Sequence, residues 1–251
     1  MRKSTFRVVL VLIALLFTCQ AMAVDLVVSA AASLTNAFAD IGKEFEKSKP
    51  GTKVLFNFSA SGQLLQQLSR GAPVDVFASA DQQTMDKAEK QSITVRGTRE
   101  NFVRNKLVVV VPAHSKVDIA NLDGLGSAEV KRIALANPDS VPVGSYAKQA
   151  LEAAGSWDKL RDKYISTTNV RQSLDYTARG EVDAGFVYLT DALLMPNRVR
   201  IAFEVPLATE ILYPIAAVKG NGNENGAREF IAYLKTDTAQ KILQKYGFGT
   251  P

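Results

Sequence analysis

Past residue 23 the chain has no cysteine, and Cys19, its only one, stands before that point. Disulfides and thiol chemistry are therefore excluded for residues 24–251, whose core has to hold without covalent staples. Histidine is almost absent as well: His114 is the only one, in the turn-like stretch VPAHSKVD. One histidine and no cysteine leave no usual zinc-ligand set. A serine–histidine–acid hydrolase would have to recruit His114, and no G-x-S-x-G elbow supports it. Neither a P-loop nor a G-x-G-x-x-G turn after a strand occurs, so nucleotide chemistry has no foothold. Charge of one sign is lacking too. The formal net charge is +5, but Arg2, Lys3 and Arg7 fall in the first 23 residues with no acid among them, which leaves +2. The other Lys and Arg residues are scattered, the pattern of a solvated surface and not of a nucleic-acid face.

The chain has one long apolar run, VVLVLIALLF (Val8–Phe17), preceded by the three cations and followed by AMA at Ala21–Ala23. A positive start, a short apolar middle and a small-x-small end make a secretory signal peptide. Ten residues are too few to span a bilayer, which needs ~20. Thr18 and Phe17 before Cys19 fit a lipid-attachment site poorly, so cleavage is expected after Ala23, with export to the periplasm.

From Val24 onward, strand-like and helix-like stretches alternate. VDLVVSA, KVLFNFS, VDVFASA, KLVVVVP, RIALANP, DAGFVYL and LYPIAAV read as strands. Helical periodicity covers 34–47, 62–70, 81–90, 146–154, 170–179, 226–234 and 236–246. In the first of these, Leu34, Ala37, Phe38, Ile41 and Phe45 recur at three- and four-residue spacing. The βαβα order predicts an α/β protein on largely parallel sheets. No repeat or flexible linker stands out, so two lobes would be joined by strands that cross between them. Lys106–Pro112 is the candidate crossing, and Val205–Tyr213 the candidate return.

Four turns share one character. Ala31–Thr35, Ser59–Gln63, the turn before Gly144, and Thr167–Asn169 each lead from a strand or turn into a helix through small or hydroxylated residues. Helix N-termini present unpaired N–H groups and a positive dipole end, which together make an anion site. Ser, Thr and Asn are also ordinary N-caps. From the residues alone, caps and an anion-binding cleft stand side by side. No Lys or Arg lies inside the first two turns, so an enclosed oxyanion there would be held by neutral donors. Arg171 follows Val170 on a helix, where its side chain is free to face solvent.

AAASLTNAF, VDVFASADQQTMD, VPVGSYAKQAL, DAGFVYLTDA and the ending FIAYLKTDTAQKILQKYGF closely resemble, in order, the periplasmic molybdate-binding proteins of bacterial molybdate ABC importers, the ModA family. The resemblance runs over nearly all of 24–248. It implies a two-lobed type II periplasmic solute-binding protein, each lobe a largely parallel sheet flanked by helices. Residues 24–107 and 206–251 would form one lobe, and 108–205 the other. It implies further a non-enzymatic protein without cofactor, expected to be a monomer. Molybdate, and tungstate with it, would be captured between the lobes and handed to a membrane permease. The family's ligand positions fall on Ser33 and Ser61 (hydroxyl and backbone N–H), Val143 and Val170 (backbone N–H), and Tyr188 (hydroxyl). The family often has alanine where Val143 stands, a change that a backbone donor tolerates. Ser59 is the alternative to Ser61. The competing functions are a binder of sulfate or phosphate, and an exported hydrolase using Ser33 or Ser61 as nucleophile.

Overall fold

A computed structural model describes residues 24–251; the expected signal peptide and its cleavage point lie outside the described residues. Among the described residues ten strands form two five-stranded sheets. The first contains β1 (Val24–Ala31), β2 (Thr52–Ser59), β3 (Val76–Ala78), β4 (Glu100–Asn105) and β10 (Ile211–Ala217), in the order β2-β1-β3-β10-β4. The second contains β5 (Leu107–Pro112), β6 (Ile133–Ala136), β7 (Tyr164–Thr167), β8 (Ala184–Tyr188) and β9 (Val199–Glu204), in the order β7-β6-β8-β5-β9. In each sheet four strands run one way and one is reversed. The reversed strands are β10, antiparallel to β3 and β4, and β5, antiparallel to β8 and β9. These are the strands that follow the two passages between sheets, at Asn105–Leu107 and between Glu204 and Ile211.

The helices are α1 (Thr35–Ser48), α2 (Ser61–Ser69), α3 (Gln82–Lys90), α4 (Pro142–Ala153), α5 (Val170–Ala178), the single turn α6 (Leu189–Ala192), α7 (Glu224–Tyr233) and α8 (Asp237–Lys245). Strands covered on both faces carry continuous apolar runs; Leu107–Val111 of β5 is buried throughout. The apolar stripe of α1 meets α7 edge-on, with Phe38 and Phe45 at 5.9 and 5.2 Å from the Phe230 ring. Full burial of such a side chain contributes ~1.5–3 kcal/mol.

Three strands, β4, β7 and β9, carry no clear signal in the sequence. All three are sheet edges, half open to solvent, so their residues mix apolar and polar types. Helix α4 begins at Pro142, ahead of Gly144 and Tyr146, because proline is preorganised for the first helical position. The turns at the carboxyl ends of β1, β2, β6, β7 and β8 face one another between the sheets, the place where open α/β folds hold ligands.

Candidate oxyanion site

β1 ends in Ser29, Ala30 and Ala31, all buried, where it pairs with β2 and, as far as Ala30, with β3. The chain then makes one 3-10 turn, Ala32–Leu34, before α1. Ser33 is the middle residue of that turn. Ser61 is the first residue of α2, Val143 the second of α4, Val170 the first of α5, and Tyr188 the last of β8. All five line one cavity, along with Ala31, Ala32, Ser59, Ala60, Ala80, Val141, Pro142 and Asn169. The lining has no charged side chain. The free space is about 210 Å³ counting what opens to solvent, and the centre of a water-sized sphere can move through only about 10 Å³ of it. That is room for about one water-sized group; an extended ligand does not fit.

The capping pattern separates the two readings that the sequence leaves open. Helices α3, α7 and α8 begin on Asp81, Asn223 and Thr236, whose side chains accept from the first-turn amides. The 3-10 turn, α2 and α4 begin on Ala31, Ala60 and Val141, with no side-chain cap. Ser33 and Ser61 are therefore not caps. At α5 the cap is Asn169, which accepts from Gln172 N–H and leaves Val170 N–H over. First-turn amides have no carbonyl one turn back. Among the described residues no acceptor is found for the N–H groups of Ser33, Ser61, Val143 or Val170.

The hydroxyls are arranged similarly. Ser61 Oγ accepts from Ala80 N–H at 3.0 Å, so its own hydrogen is free. Ser33 Oγ lies 2.9 Å from Tyr213 Oη. Tyr188 Oη is buried without a hydrogen-bond partner among the described residues. Burial, reinforced by Tyr213 and neighbouring acids, pushes its phenol well above the ordinary range, which keeps it a donor. Ser59, by contrast, hydrogen-bonds Gln63 Oε1. Among the described residues neither Ser33 nor Ser61 is hydrogen-bonded to a base, and His114 lies in a separate groove with Arg179 and Arg198. Among the described residues no cluster of His, Cys, Asp or Glu could hold a metal ion.

Arg171 does not face solvent. It is a residue that periodicity could not find, because its partners lie far off in sequence. Its Nε stands 2.6 Å from Oδ1 of fully buried Asp191, an ion pair without hydrogen-bond alignment. Its Nη1 donates to Asn36 Oδ1 at 2.9 Å and its Nη2 to Ser33 O at 3.2 Å, both across the cleft. Gly62 N–H donates to Ser140 O at 3.1 Å, and Gln63 Nε2 reaches Thr168 O at 3.4 Å. These contacts hold the two lobes together over the cavity.

Burial raises the Asp191 carboxyl from 3.8 to about 6, against the lowering effect of Arg171. A carboxyl with a folded-state pKa above its unfolded one binds its proton more tightly when folded. Stability then falls as pH rises from ~4 to ~6, by ~3 kcal/mol for this shift, and is level above. Asp191→Asn removes that titration. Relative to the parent, the variant is expected to gain up to ~3 kcal/mol between pH 4 and pH 7 in urea unfolding. A difference that does not change with pH would refute this account of Asp191.

Residues 26–249 match the family model described as bacterial extracellular solute-binding protein. The molybdate-binding protein ModA of Escherichia coli (strain K12) is 38% identical over 226 residues, 88% of this chain and 87% of that one. ModA of Haemophilus influenzae is 36% identical over 225 residues, 88% of each chain. The solved periplasmic molybdate-binding protein of Azotobacter vinelandii matches with a TM-score of 0.81 and 26% identity, over 90% of this chain and 99% of that one.

Proposed function

The chain belongs to the bacterial extracellular solute-binding proteins, and from that premise we propose that its cleft captures molybdate and tungstate in the periplasm for delivery to the permease of an ABC importer. It is a binding protein and not an enzyme. The protein acts as a monomer, since one chain supplies every donor. The observation that carries the reading is the cavity itself: unpaired backbone N–H groups of Ser33, Ser61, Val143 and Val170, with three hydroxyls, around a space lined by no charge.

Stripping an isolated dianion of water costs tens of kcal/mol, and each hydrogen bond to a charged group returns ~1.5–3 kcal/mol. Several donors must therefore converge, and four helical or 3-10 N-termini supply them with their dipoles. Ser33 and Ser61 sit on one lobe, Val143, Val170 and Tyr188 on the other. A ligand that contacts both lobes binds the closed form more tightly than the open one, which is what drives closure. A donor-rich lining also discriminates by protonation. A protonated oxyanion, such as hydrogen phosphate, sets its own O–H against a donor, at ~1–3 kcal/mol. Sulfate carries no proton and is distinguished by its smaller size.

Thermal unfolding against molybdate, tungstate, sulfate and phosphate tests this. A ligand at a thousand times its dissociation constant adds ~4 kcal/mol to the folded state, equivalent to roughly 8–16 °C for a chain of this size. Molybdate and tungstate are expected to give that shift, with sulfate and phosphate giving little. A shift with sulfate or phosphate alone would overturn the substrate; no shift with any of the four would overturn the site.

A further inference from the structure

Asn105 lies at the first passage between the sheets and is almost fully buried. Its amide orientation is fixed by Lys106 N–H, which donates to Oδ1 at 2.9 Å. Nδ2 must then be the donor to its two other partners, Thr190 Oγ1 at 2.9 Å and Tyr213 Oη at 3.1 Å. Tyr213 is fully buried, and its hydroxyl has a single hydrogen. With Asn105 donating to its oxygen, that hydrogen needs an acceptor, because a buried donor left unpaired is costly. Ser33 Oγ, at 2.9 Å, is the acceptor within reach.

We propose that Asn105 and Tyr213 are positioning residues that set the direction of the Ser33 hydrogen. Asn105 donates to Tyr213, Tyr213 donates to Ser33, and the Ser33 hydrogen is left to point into the cavity that Ser33 lines. This deepens the oxyanion reading and rests on it. The donor chain would run the other way if residue 105 were an acceptor: Ser33 would then spend its hydrogen on Tyr213 and offer the ligand lone pairs. The second Asn105 donor reaches Thr190, two residues past Tyr188, so one hinge amide braces both cavity walls. The Tyr213 ring is fixed independently, packing edge-on to Tyr188 at 5.8 Å and to Phe248 at 5.6 Å. Phenylalanine would keep those contacts and lose only the hydroxyl.

The test is a double-mutant cycle read by calorimetry with molybdate: the parent, Ser33→Ala, Tyr213→Phe and the pair. Tyr213→Phe is expected to weaken binding about tenfold when Ser33 is present, and by less than twofold once Ser33 is alanine. A purely structural role for Tyr213 would give the same loss in both backgrounds, which would overturn the proposal. Asn105→Asp, which replaces the donor with an acceptor, provides a second arm. Its loss is likewise expected to require Ser33, and a loss independent of Ser33 counts against the relay. Failure of the parent protein to bind any of the four oxyanions overturns the site and the relay together. Binding with additive losses overturns the relay alone.

Discussion

Gly62→Ala is expected to weaken molybdate binding about 100-fold while leaving the two lobes folded. A Cβ built at Gly62 stands 2.5 Å from Ser140 O and 3.0 Å from Ser140 C and Cα. All three are backbone atoms of the opposite lobe, ahead of α4, so no side chain can swing away to make room. Gly62 has no positive φ, and alanine suits the first turn of α2 better than glycine by up to ~1 kcal/mol. The clash exists only when the lobes meet. Holding them apart breaks the Gly62–Ser140 hydrogen bond and pulls the donors of one lobe out of reach of the ligand. Loss of two charge-assisted hydrogen bonds at ~1.5 kcal/mol each is ~3 kcal/mol, on the order of 100-fold. Calorimetry with molybdate, alongside thermal unfolding without it, separates the two effects. Parent-like affinity would mean that the lobes do not close through this contact.

Arg171→Ala should be strongly destabilising. It strands the Asp191 carboxylate, fully buried and with no hydrogen-bond partner of its own among the described residues. Removing one member of a buried ion pair costs ~3–5 kcal/mol, or roughly 6–20 °C in melting temperature for a chain of this size. The substitution also removes the bonds to Asn36 Oδ1 and Ser33 O that cross the cleft. Adding Asp191→Asn to Arg171→Ala is expected to recover most of the stability and none of the cross-cleft contacts. Thermal unfolding at pH 7 of the parent, the single and the double variant checks this. A loss below ~1 kcal/mol in the single variant would show that Asp191 finds its relief elsewhere.

How much of this was legible in the sequence depends on where each residue's partners lie. Buried strands such as β5 show as unbroken apolar runs, and stripes such as that of α1 as a local period, so both are visible. The edge strands β4, β7 and β9, open to water on one side, have none. The strand-to-helix turns were visible as small and hydroxylated residues, but their purpose was not. Whether Ser61 caps its helix or only begins it depends on a single residue of register, and that is what separates a cap from a free donor. Ser33, Ser61, Val143, Val170 and Tyr188 were named through a resemblance of motifs, which neither periodicity nor composition could have supplied. Neither motif nor period marks the roles of Arg171 and Tyr213. Arg171 meets Ser33 and Asn36 more than 130 positions away, and Tyr213 meets Ser33 at a separation of 180. Such pairings are set by the packing of one lobe against another, and no short window of sequence records them.

The place of β10 has a consequence for how the chain is made. It lies between β3 and β4, so the first sheet is two disconnected pieces until residues 211–217 arrive. Helix α7, which covers Phe38 and Phe45 through Phe230, comes later still. The second sheet draws all its strands from the continuous stretch 107–204 and waits for nothing. Synthesis runs from the N-terminus, yet the lobe that begins first must finish last, and such long-range pairing forms slowly. A nascent chain built in this order can complete its second lobe while the first still lacks β10 and the helix that covers Phe38 and Phe45.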